Sequence, residues 1–127
     1  MASLRTPLAK VRGLGSAKEG TDHFWKQRVT AVANVLLVSF LLVFFVRYAG
    51  ADYTTVKHAL GRPVNAIALL VLAVSGAMHM RLGMQTIIED YVHSEGRKVI
   101  ALMLNSFFAI LVGITCVFAV LKLSFGA

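Results

Sequence analysis

Three long apolar runs fill more than half of the chain and limit its fold more than any other feature. Val29 to Val46 holds 18 residues without a charge, Val99 to Leu121 holds 23, and Val64 to about Ile88 holds 25, interrupted by His79 and Arg81. A hydrocarbon core about 30 Å thick needs about 20 helical residues, so each run is long enough to cross, the first with little to spare. With no water at that depth, backbone N–H and C=O groups have to pair inside the segment, which makes the runs helices. A hydrophobic content of 57% and a mean hydropathy of +0.73 over 127 residues exclude an ordinary soluble domain of this size. The expected fold is an all-α integral membrane protein with three transmembrane helices. Three short-looped helices cannot enclose a sizeable core, so a partner membrane chain is expected too.

The net charge is +7, but the cations are not gathered on a polar domain that would bind nucleic acid. Six of the thirteen Lys and Arg residues precede the first run: Arg5, Lys10, Arg12, Lys18, Lys26 and Arg28. With Arg97 and Lys98 in the second loop they make eight, against four for Arg47, Lys57 and Arg62 in the first loop and Lys122 beyond the third run. The positive-inside rule then puts the amino terminus and the second loop in the cytoplasm and the carboxyl terminus outside. Residues 1–22 read as a cytoplasmic tail and 23–127 as a membrane anchor with spans at about 29–46, 64–88 and 99–121.

Local signals mark the ends of these spans. Thr21 or Asp22 is expected to cap a helix beginning near His23, with Phe24 and Trp25 at headgroup level and Tyr48 and Tyr53 in the opposite belt. Pro63 suits the first turn of the second helix, and Gly96 is the expected turn of the second loop. Ala49-Gly50-Ala51 resembles a small-residue cleavage site. A polar lead of 28 residues and an apolar run of 18 are both long for a signal peptide, so an uncleaved span is expected. Cys116 is the sole cysteine, which excludes an intrachain disulfide and reads as a packing residue.

The chemistry concentrates in HMRLGMQTIIEDYVH, His79 to His93. An ionisable side chain at membrane depth is costly to keep and points to a functional site. His79 and Asp90 are eleven residues apart; at about 100° and 1.5 Å per residue that is three turns plus about 20° and a rise of about 16 Å. In an unbroken helix the two share one face. Gly76 and Gly83 lie on the same side, where absent side chains let a flat group approach the backbone.

His79 carries three readings: a haem or metal ligand, a proton relay, or a histidine hydrogen-bonded to a neighbouring helix. No other histidine stands in any of the three runs, so a six-coordinate haem would need its second axial ligand from another chain. Asp90 and Tyr91 read either as interfacial residues at a helix end or as a quinone site, since a phenol can donate to a quinone carbonyl and an acid at the water boundary can help deliver protons. Arg28, opening the first helix, suits a lipid phosphate, a partner carboxylate or a haem propionate. Arg81 reads as a snorkelling or ion-paired side chain, and His23, His58 and His93 as surface histidines. Asn34, Ser39, Asn105, Ser106 and Thr115 are expected to bond between helices.

Two segments, GSAKEGTDHFWKQRVTAVAN (Gly15 to Asn34) and HMRLGMQTIIEDYVH, carry a resemblance. With the three-span architecture, they make the chain resemble the small hydrophobic membrane-anchor subunits of succinate dehydrogenase in their alphaproteobacterial or mitochondrial-like form. That resemblance implies a cytochrome b-containing anchor in a bacterial inner membrane, paired with a second three-helix cytochrome b anchor subunit and holding an iron–sulfur subunit and a flavoprotein subunit. It implies His79 as an axial ligand of haem b, Tyr91 as a hydrogen-bond donor to ubiquinone with Asp90 in the surrounding network, and Arg28 near a haem propionate. Asp22-His23 stands where some members have His-Asp, and no haem role is carried onto His23. The implied activity is electron transfer from succinate to ubiquinone by respiratory complex II. This chain supplies binding and local electrostatics within it and is no enzyme by itself. A haem-free scaffold and a proton-conducting subunit are the rival readings, the second weakened by the lack of helix-breaking signals and of a second polar helix face.

Overall fold

In a computed structural model, residues 6–13 and 20–125 are described, and among them every regular element is an α-helix. In chain order they are α1 (Pro7–Val11), α2 (Gly20–Tyr48), α3 (Tyr53–Leu60), α4 (Pro63–Tyr91) and α5 (Glu95–Phe125). α2, α4 and α5 have the length and apolar character of membrane spans. With 29, 29 and 31 residues they reach about 43–46 Å at 1.5 Å per residue, so each overshoots the hydrocarbon core by several turns. Residues 1–5 and 14–19 of the expected tail lie outside the described residues.

Three local expectations are corrected. α2 begins at Gly20, three residues before His23, so Asp22 sits in the first turn and pairs with Lys26 one turn on instead of capping the helix. The first loop contains α3. Its N-cap is Asp52, whose carboxylate accepts from the Thr55 N–H at 3.2 Å and the Thr55 hydroxyl at 2.6 Å and also bonds the Thr54 hydroxyl. Those three donors hold the Asp52 carboxyl well below the usual carboxylate range. Gly96 lies inside α5; the connection is the short Val92–Ser94 segment, and the Lys98 N–H donates to the Ser94 carbonyl at 2.8 Å.

Pro63 opens α4 as its position predicts, and its missing N–H is one that a first turn leaves unpaired anyway. α4 is the middle helix, packed against α2 on one side and α5 on the other, while α2 and α5 share no comparable interface. Small residues make the α4–α5 contact close: a Cβ on Gly113 would lie 3.2 Å from the Ala77 Cβ. The Asn105 amide donates to the Arg81 carbonyl across this interface at 2.9 Å. At the other end Gly61 closes α3 so near α5 that a Cβ would stand 3.2 Å from the Leu123 carbonyl oxygen. The buried set is correspondingly small, with Thr30, Phe44, Ala59, Ala66, Ser75, Ile88 and Ala109 among the described residues.

Candidate functional site

α4 runs unbroken from Pro63 to Tyr91, which meets the condition for His79 and Asp90 to share a face. That face at His79 turns toward α2. The buried Thr30 hydroxyl of α2 lies 3.1 Å from Nδ1 of His79. The same hydroxyl reaches back to the carbonyls of Lys26 at 2.8 Å and Gln27 at 3.1 Å, the usual way a threonine is accommodated in a helix. One turn along α4, the buried Ser75 hydroxyl donates to the Thr30 carbonyl at 3.5 Å. Among the described residues His79 is therefore a histidine bonded to a neighbouring helix, one of the three sequence readings, and it is so bonded through Nδ1 alone.

His79 also lines a groove of about 480 Å³ whose other wall, along α2, is made by Ala31, Asn34, Val35, Val38 and Ser39. Asn34, on the wall of this groove, has its Oδ1 buried inside the chain without a hydrogen-bond partner among the described residues. Gly76, on the same side of α4, has nothing within 4 Å of where a Cβ would stand, so the backbone there is open to an approaching group. Arg28 lies one turn toward the amino terminus on a flank about 60° from the mean direction of the groove-lining residues on the helical wheel. Its guanidinium stacks 3.9 Å from the Phe24 ring centroid.

Asp90 and Tyr91 close α4 and are exposed, Tyr91 by 77%. Among the described residues no hydrogen bond holds either side chain. They stand about 16 Å along the helix from His79, so the structure places two sites on α4 and does not merge them. Arg81 is on the opposite side, at the mouth of an apolar groove of about 360 Å³ between α4 and α5.

Sequence reasoning missed Thr30 and Ser75. A threonine in an apolar run carries no signal until the helix opposite it is known. His23, expected at the surface, falls within the first turn of α2 with its Nε2 buried and unpartnered among the described residues.

The sequence profile of the succinate dehydrogenase/fumarate reductase transmembrane subunit matches residues 2–115. The chain belongs to this family. It is 36% identical over 117 residues to the succinate dehydrogenase hydrophobic membrane anchor subunit of Rickettsia bellii, covering 90% of this chain and 94% of the relative. The protein of the same name from Paracoccus denitrificans is 31% identical over 122 residues, covering 96% and 94%. The succinate dehydrogenase membrane anchor subunit of Reclinomonas americana is 34% identical over 96 residues, covering 73% and 80%. No solved structure is similar to the chain at a significant level. This anchor subunit is thus a multi-pass membrane protein and a non-catalytic part of a larger complex.

Proposed function

We propose that this anchor subunit serves a succinate:ubiquinone oxidoreductase, with His79 as one axial ligand of haem b and Tyr91 and Asp90 as its part of the ubiquinone site. The observation that carries the haem reading is the division of labour on the His79 ring. Nδ1 is engaged by Thr30, while Nε2 has no hydrogen-bond partner among the described residues, and His79 lines a groove that an incoming group could enter. A neutral imidazole with one nitrogen hydrogen-bonded and the other available is the donor a haem iron takes. The groove's apolar wall, the open backbone at Gly76 and the cation Arg28 one turn away fit a flat apolar ring with an anionic edge. When bound, haem b supplies a one-electron redox centre.

The chain's own work at the other site is positional. Tyr91 offers its phenol O–H to a quinone carbonyl, and Asp90 beside it accepts or returns a proton at the water boundary. Succinate oxidation belongs to a flavoprotein subunit and an iron–sulfur subunit, which a second anchor subunit helps hold on the cytoplasmic face of a bacterial inner membrane. Charge distribution supports that side, with the amino-terminal tail (1–22) and the Val92–Ser94 connection inside and the carboxyl terminus of the anchor (23–127) in the periplasm.

The test is a dithionite-minus-oxidised spectrum of the complex purified through a tag on this chain, with succinate:quinone reductase assayed on the same fraction. A b-type band that co-purifies with activity and is lost or altered in His79→Ala is the expected result. An unchanged band in that variant removes His79 as a ligand. An intact preparation with neither band nor activity returns the chain to a haem-free scaffold or a proton-conducting subunit.

A further inference from the structure

We propose that Thr30 is a positioning residue for haem b: its hydroxyl fixes the tautomer and orientation of His79 and sets the donor strength of the ligating nitrogen. The proposal rests on His79 being the haem ligand and adds the residue through which α2 controls it. A threonine hydroxyl has one proton and two lone pairs. Its proton has an acceptor in its own helix, the Lys26 carbonyl at 2.8 Å, with the Gln27 carbonyl at 3.1 Å as the alternative. The lone pairs are then what Thr30 offers to His79, 3.1 Å away, and the Nδ1 that faces them carries the ring proton. A neutral imidazole with its proton on Nδ1 has its lone pair on Nε2.

Burial makes the bond effective. Thr30 and Ser75 are both buried, with 7% and 9% of their surface exposed, so water does not compete for the hydroxyl or substitute for it. The Ser75 hydroxyl, donating to the Thr30 carbonyl, ties the register of α2 to α4 one turn from the ligand. The chain Lys26 carbonyl, Thr30 hydroxyl, His79 Nδ1–H therefore runs from the backbone of one helix to the ligand on another. A ligand N–H that donates to an acceptor raises the basicity of the opposite nitrogen, which favours the ferric over the ferrous ion. Losing the acceptor raises the haem potential and loosens the ring.

The test compares Thr30→Val, which keeps the shape and removes the hydroxyl, with Thr30→Ser, which keeps the hydroxyl and removes the methyl. Both are read in the purified complex by haem content per flavin, the low-spin ferric electron paramagnetic resonance signal and a redox titration of the b-type band. The expected result is a higher potential and a displaced ferric signal in Thr30→Val, with Thr30→Ser close to the parent. A shift of up to about tenfold in ferric relative to ferrous binding corresponds to about 59 mV for a one-electron couple. Should Thr30→Val fail to assemble, Thr30→Ala removes the hydroxyl without adding bulk and takes its place. Parent-like potential and signal in every variant overturn the proposal, and so does an equal shift in Thr30→Ser, which would assign the effect to the methyl contact. A parent complex with no b-type band overturns the haem reading, and the role of Thr30 with it.

Discussion

A single side chain decides most at the end of α4. Tyr91 is exposed and free of hydrogen bonds among the described residues, so its hydroxyl contributes nothing to holding this chain together. Tyr91→Phe is accordingly expected to leave assembly and electron transfer to soluble acceptors intact while lowering quinone reduction by about tenfold or more, the size of losing one hydrogen bond to a reacting group. Parent-like kinetics with quinone would remove the phenol from the site. The spacing of His79 and Asp90 was legible in the sequence because helix geometry alone converts eleven residues into a shared face. The partner of His79 was not. Thr30 declares itself only when α2 and α4 are placed side by side, since nothing in a threonine's own neighbourhood says whether its lone pairs meet lipid or a histidine. His23 was read as a surface residue although the helix start near it was foreseen, because burial of its Nε2 depends on packing that the sequence does not display.

Among the elements, two glycines of α4 and α5 answer different questions. Gly113 meets Ala77 across the α4–α5 contact, so Gly113→Leu should force the helices apart and lower the stability of the complex by about 1–3 kcal/mol, as overpacking does. Gly76 meets nothing in this chain, so Gly76→Leu should spare the helix pair and reduce haem content instead, by filling space that only an added group would use. Thermal inactivation and haem per flavin, measured on both variants, separate the two; equal effects on both readouts would mean that Gly76 faces another helix. α3 offers a prediction by pH. Its N-cap carboxylate, Asp52, is held below its ordinary range by three bonds to Thr54 and Thr55. A depressed carboxyl contributes stability that is present above its unfolded value near 3.9 and is lost as pH falls through the lower folded value. Amide exchange at Thr55 should therefore speed up in strong acid, over and above the intrinsic rate change, and Asp52→Asn, which still caps, should abolish that component. This helix escaped the sequence reading because eight half-polar residues between two membrane runs have neither the length nor the hydropathy of a span. Its cap, Asp52 three residues before Thr55, was the signal available.

At the scale of the molecule, the three spans form a row with α4 in the middle, and a row cannot bury its own faces. Within each span only 11% of the most apolar window is buried inside the chain. Lipid can cover aliphatic side chains at no cost, but on the proposed reading it cannot supply the second axial ligand of a haem held by His79. On that reading the groove beside His79 is the side on which a second membrane chain is expected. Produced without its partner subunits, the chain should accumulate poorly and carry no haem; a stable haem-loaded monomer would contradict a shared site. α2 separates α1 from α3, so a spanning α2 puts the two on opposite sides of the membrane, and labelling reads which side is which. In a Cys116→Ser background, a membrane-impermeant maleimide should modify Tyr53→Cys on α3 in intact cells, while Leu8→Cys on α1 should react only once the cells are opened. The reverse pattern would place Tyr91 and Asp90 on the outer face, away from any cytoplasmic electron donor, and would break the quinone reading along with the charge argument for orientation.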